Sequence, residues 1–123
     1  MTTLYEQLGG STGIAALVDD IVAAHLANPV IQARYQPLID DPERMAQAKQ
    51  HLRDFLGSGS GGSETYEGRS MPDTHRGMNI GAGEYMAAME DIMDTLEAHE
   101  VPESAQKDML MIAWSLRGEI MRL

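Results

Sequence analysis

Cysteine is absent from the 123 residues, which excludes a disulfide, an iron–sulfur cluster, a thiolate nucleophile and cysteine-ligated zinc. Large aromatics are scarce: Tyr5, Tyr35, Phe55, Tyr66, Tyr85 and Trp114 amount to 5% of the chain. Positive charge is short as well, with nine Lys and Arg against nineteen Asp and Glu and a formal net charge of −10. Such a surface repels nucleic acid and anionic lipid, so neither is expected as a partner. Met1 to Gln7 shows no basic start followed by an apolar run, and the cytoplasm is the expected location.

The hydrophobic fraction of 43% and charged fraction of 23% are those of an ordinary globule, against both disorder and membrane insertion. The length suits one domain, 1–123, with a single core. Ten methionines stand against those few aromatics. Adaptable aliphatic side chains fill such a core, or a flat apolar cofactor supplies the missing volume, and composition alone favours the first.

Helical spacing dominates the chain. Ser11 can cap a helix carrying Ile14, Leu17, Val18, Ile21, Val22 and His25 until Asn28-Pro29 stops it. Asp41-Pro42-Glu43 reads as the start of a second, with Met45, Ala48, Leu52, Phe55 and Leu56 on one stripe and His51 on the same side. Gly57 to Ser63 is expected to end it. From Tyr66 to Ile80 irregular structure is expected, with at most two turns of helix around His75. A long helix follows with Tyr85, Met89, Ile92 and Leu96, closing near His99. Pro102 opens a last one whose stripe runs Met109, Ile112, Ala113, Leu116 and Ile120. Nothing alternates as strands do, so the fold class is all-α with about four main helices.

Gly57-Ser58-Gly59-Ser60-Gly61-Gly62 matches the glycine pattern of dinucleotide loops but follows a helix rather than a strand, so it reads as a turn. The acidic pairs Asp19-Asp20, Asp40-Asp41 and Glu90-Asp91 read as solvated surface. The histidines say more. His99 suits a helix C-terminus, and His25 on its apolar stripe reads as a satisfied core residue. His51 and His75 bracket a glycine-rich reversal and could face each other. Two imidazoles on opposite walls of an apolar cleft suit a six-coordinate haem, whereas two alone do not complete a zinc site. Arg44, Lys49, Arg53, Arg69 and Arg76 fall in the same segment, either as partners for haem propionates or as ordinary surface charges.

These residues resemble the group I truncated haemoglobins over essentially the whole chain. Leu4-Tyr5-Glu6-Gln7-Leu8-Gly9-Gly10 resembles the family's opening segment, Gly61-Gly62 its second paired glycine, and Tyr66-x-Gly68-x-x-Met71 followed by His75 its proximal region. The resemblance implies a two-over-two helical sandwich around haem b, with His75 as the proximal iron ligand. Met45 to His51 is similar to the distal helix of members whose histidine ligates iron from the second side, which gives His51 that place. It further implies that Leu52, Phe55, Leu56, Met71, Thr74 and Ile80 line the haem and that Tyr35 wedges against it.

The chain departs from the family pattern in places. Val22 stands where many members have a distal tyrosine, Ala48 and Leu52 where a glutamine is common, and Arg117 where some have a histidine that bonds haem covalently. The implied function is binding of O2, NO or CO, six-coordinate with two histidines at rest, in a monomer with an electron-donating reductase as a candidate partner. Nitric oxide dioxygenation, or peroxide or nitrite turnover, is the alternative, and a cofactor-free helical interaction module a third reading. Met71 or Met78 in place of His51 as second axial ligand also stays open.

Overall fold

Two glycines decide where the first long helix begins. In the computed structural model, which describes residues 2–123, a single turn α1 (Leu4–Gln7) is capped by the Thr3 hydroxyl, which accepts from the Glu6 N–H. Gly9 then adopts φ +94° and lies so close to Gly13 that a Cβ on it would stand 2.9 Å from the Gly13 Cα. That left-handed glycine, rather than Ser11, is the N-cap of α2 (Gly10–Ala27). The cap lies two residues earlier than the sequence suggested because the pivot out of α1 needs a conformation serine disfavours.

Asn28 ends α2, a 3-10 turn spans Gln32–Tyr35, and α3 (Gln36–Ile39) leads to α4 (Pro42–Gly59). The Asp41 carboxylate accepts from the Arg44 N–H at the start of α4, as expected of an aspartate before a first-turn proline. The end of α4 is a correction, since the helix continues through Gly57 and Ser58 to Gly59. Gly57 is buried against the Glu64 side chain, where any Cβ would collide, so it serves packing rather than termination. After an irregular stretch come α5 (Met71–His75), capped by Ser70, then α6 (Ala82–Ala98), ending at His99, and α7 (Glu103–Ser115).

The last stripe was expected to be one helix to Ile120. It breaks at Leu116 into a separate turn, α8 (Arg117–Ile120). The Ile112 carbonyl keeps its bond from the Leu116 N–H at 3.2 Å and also accepts from the Ser115 hydroxyl, while Arg117 Nη1 donates to the Trp114 carbonyl. Met121 is then extended and bridges to Ile80, while the Asn79 N–H donates to Leu123 O at 2.7 Å and Arg122 N–H to Ile80 O at 3.0 Å. The C-terminus thereby fastens the segment that follows His75.

Helix α2 packs on α4 and α6, and α6 on α7. Their contact is a core of Leu8, Ile14, Leu17, Val18, Ile21, Val22, Leu96, Val101, Ala105 and Met109. This core is aliphatic rather than methionine-rich: among the described residues only Met89 and Met109 are buried methionines, while Met86 and Met111 are exposed. No single helix is long and apolar enough to cross a membrane. His25 is buried in α2, with Nδ1 2.8 Å from Asp91 Oδ2 on α6, and Asn28 Nδ2 donates to the same carboxylate at 3.1 Å. Asp91 is therefore not the solvated surface acid its polar neighbourhood suggested. Its hydrogen bonds compensate the cost of drawing it against the core.

Candidate functional site

His75 closes the short helix α5. Its Nδ1 lies 2.8 Å from the Met71 carbonyl oxygen one turn back. A carbonyl can only accept, so Nδ1 is the donor, and in the neutral ring Nε2 is the nitrogen left free to bind. A backbone-anchored imidazole of this kind has a fixed ring and a basic free nitrogen, the condition in which histidines bind metals. Proline at the second position of the helix and the Ser70 cap hold α5 in place despite its five residues. Of the neighbours predicted with His75, Met71 and Ile80 are half-buried, and the half-buried Thr74 donates to Arg69 O at 3.4 Å.

The second group lies on α4. His51, Leu52, Phe55 and Leu56 are all half-buried, and Leu52 and Leu56 also touch the aliphatic core. Tyr66 organises them: its ring stands edge-on to Phe55 at 5.4 Å and to His51 at 6.1 Å. Its hydroxyl donates to Arg69 O at 2.6 Å. The ring folds directly over Gly68, where a Cβ would overlap it. That is the physical content of the Tyr-x-Gly spacing. Helix α4 packs on α2 and α3, and α5 on α8, so the two histidine-bearing helices are supported by different elements.

Tyr35 stacks on the buried His25 ring at 5.5 Å with 24° between planes. Burial, and secondarily the Asp91 charge, push its phenol up to about 12. Val22 and Ala48, aligned with polar positions of the resembling family, present no donor, and Val22 is 8% exposed within the core. Of the basic residues near the site, Lys49 pairs with Asp19 at 3.3 Å and Arg76 with Asp73 at 3.4 Å, which fits ordinary surface charges for these two. Arg117 lies over the Trp114 ring at 4.2 Å.

Two polar links escaped the sequence reading. Arg34 grips Glu84 through Nε at 2.6 Å and Nη2 at 2.9 Å and reaches the Met78 carbonyl through Nη1 at 2.6 Å. Tyr5 donates to Glu64 at 2.7 Å, and that carboxylate raises the phenol's pKa. The only local signal for the first was Glu84 itself, three residues past Gly81, where it accepts the Gly81 N–H at 3.3 Å. Two surface cavities lie elsewhere: one of about 370 Å³ beside Asp20, Asp94 and His99, the other of about 400 Å³ among Met86, Leu110, Met111 and Trp114. Neither touches His51 or His75.

The chain matches the model of the family described as bacterial-like globin over residues 3–121. It is 32% identical over 119 residues to a group 1 truncated hemoglobin of Tetrahymena pyriformis, covering 88% of this chain and 94% of that protein. With group 1 truncated hemoglobin GlbN of Synechocystis it shares 29% over 117 residues, covering 92% and 90%. Among solved structures, the ferric truncated hemoglobin of Tetrahymena pyriformis superimposes with a TM-score of 0.90 at 24% identity, over 99% of this chain and 100% of that one. A Synechococcus 2/2 hemoglobin, in the cyanomet state with covalently attached heme, gives 0.83 at 26% identity over 94% of each. The two-over-two helical arrangement is thus shared.

Proposed function

Because the chain belongs to the bacterial-like globins, among the group 1 truncated haemoglobins, we propose that it is a single-domain haem b protein that binds O2, NO or CO, with His75 as proximal ligand and His51 as second axial ligand at rest. The observation that carries this reading is the His75 ring. Its Nδ1 donates to the Met71 carbonyl at 2.8 Å, which fixes the ring and leaves Nε2 as the nitrogen available to a metal. The residues expected to line the group fit it, because Leu52, Phe55, Leu56, Met71 and Ile80 offer half-exposed apolar surface suited to a flat hydrophobic ring, and Thr74 is half-buried as well. When bound, haem supplies an iron with two axial positions.

His51 supplies the second nitrogen, and Tyr66 restrains the approach of its ring. A diatomic ligand must displace His51, so its affinity falls by the fraction of protein in the open state. Once displaced, His51 is also a donor in a neighbourhood where Val22 and Ala48 offer none, and the Tyr35 hydroxyl is the other candidate. Tyr35 packs against the group from the side of His25. The same aliphatic surroundings place nitric oxide dioxygenation, and peroxide or nitrite turnover, second to ligand binding. Arg117, occupied with Trp114, provides no nucleophile for a covalent haem bond. A cytoplasmic monomer, reduced by a separate electron donor, completes the reading.

Visible spectra of ferric and dithionite-reduced protein test it. The parent is expected to show sharp low-spin bands that become high-spin in His51→Ala, and His75→Ala is expected to lose or loosen its haem. A parent already high-spin removes His51 from the iron, and colourless protein after expression with adequate haem overturns the whole reading.

A further inference from the structure

Arg34 joins three chain segments through a single guanidinium. Nε and Nη2 donate to Glu84 Oε2 at 2.6 Å and Oε1 at 2.9 Å, and Nη1 donates to the Met78 carbonyl at 2.6 Å. Glu84 is itself anchored in the first turn of α6 by the Gly81 N–H at 3.3 Å. Arg34 immediately precedes Tyr35, and the Met78 N–H donates to the His75 carbonyl at 3.1 Å. The guanidinium therefore has Tyr35 one residue away on one side and, through Met78, His75 two hydrogen bonds away on the other.

We infer that Arg34 is a positioning residue: its fork ties the turn that carries Tyr35 to the turn that follows His75, fixing the proximal imidazole and slowing release of the group it binds. This inference rests on the haem reading above. Two features of the pair favour a geometric role over a merely stabilising one. The side chains are 31% and 27% exposed, a setting in which an ion pair contributes little to folding. Yet its planar fork grips both oxygens of one carboxylate and a carbonyl at once, a bidentate geometry that a lysine ammonium, with its donors on a single nitrogen, does not reproduce. Hydrogen bonding to Arg34 holds the Glu84 carboxyl below its ordinary range, so the pair stays charged at neutral pH.

The test uses haem-loaded parent, Arg34→Lys, Arg34→Met and Glu84→Gln proteins. Haem transfer to an excess of a haem-free scavenger globin gives the release rate, and resonance Raman of the ferrous proteins in a His51→Ala background gives the iron–histidine stretching band. Release is expected to be about tenfold faster in Arg34→Met, as for loss of hydrogen bonds to a charged group. Arg34→Lys should lie closer to Arg34→Met than to the parent, and the iron–histidine band should shift in both while far-ultraviolet circular dichroism stays unchanged. Parent-like release and an unmoved band overturn the inference. So does full rescue by Arg34→Lys, since charge alone would then suffice. A parent without haem, or with a stretching band that is not that of histidine, fails the haem reading instead.

Discussion

The two halves of this molecule use the same kind of apolar stripe to different ends. On the side of α2, α6 and α7 the stripes close on one another: Val18, Leu96 and Ala105 have no exposure at all. On the side of α4 and α5, Gly57 is the only buried residue of α4 and α5 has none, although Leu52, Phe55 and Leu56 recur at the same helical spacing. The closed half is a protein core. The open half presents half-covered apolar side chains, a backbone-anchored His75 imidazole on α5 and, on α4, a His51 ring braced by Tyr66. Stability and ligand binding are accordingly expected to separate by half.

The sharpest way to break this comparison is to cut one leucine from each side. Leu96→Ala removes a fully buried side chain and should cost about 3 kcal/mol of unfolding free energy in urea titration of the haem-free chain. Leu52→Ala, half-exposed, should cost roughly 1 kcal/mol or less in the same titration. Equal losses would show that the open half is packed as tightly as the core.

Haem addition should bring out a second contrast, between His75 and Leu96. A ligand at about 100 times its dissociation constant stabilises the folded state by about 2.7 kcal/mol. His75→Ala is expected to unfold like the parent without haem and to lose that increment with it, whereas Leu96→Ala should keep the increment. A His75→Ala protein that gains as much from haem as the parent would move the proximal ligand elsewhere.

Within the closed half, between α2 and α6, stands the His25–Asp91 contact, 6% exposed at His25. His25→Ala leaves Asp91 with only Asn28 on its side chain, and the expected cost is about 1–3 kcal/mol by thermal or urea unfolding. A cost near zero would mean that water takes the place of His25 at Asp91 and that the closed half is looser there than this contact implies.

The sequence showed the four long helices and four of their ends, the end of α2, the start of α4, the end of α6 and the start of α7, because caps, prolines and apolar spacing are local. It also placed His75 on a short helix and His51 on a half-covered face. What it missed depends on partners far along the chain. Arg34 meets Glu84 across 50 residues, and Asp91 meets His25 across 66, so neither acid could be told from a surface charge. Gly57 looked like a terminator because its reason for being glycine is the Glu64 side chain. The break at Leu116 leaves the apolar spacing intact and so was hidden from it. The close fit of Tyr66 over Gly68 was visible only as a motif.

Tyr35 sharpens the comparison most finely, since it stacks on His25 from the closed half and is expected to touch haem from the open one. Its pKa is raised from 10.0 to about 12, first by burial and then by the Asp91 charge, so the folded state retains the proton longer than the unfolded chain. The stabilising contribution is therefore complete below about pH 10 and is lost as pH rises from there through about 12, where the unfolded chain has already released its proton. Urea unfolding at pH 8 and pH 11 should show a smaller alkaline loss in Tyr35→Phe than in the parent. Tyr85, also raised by burial, keeps its own share in both proteins, so the difference reports Tyr35 alone. Equal slopes would mean that the phenol ionises as it does in water, which would place Tyr35 with the open half and leave His25 covered by something other than its ring.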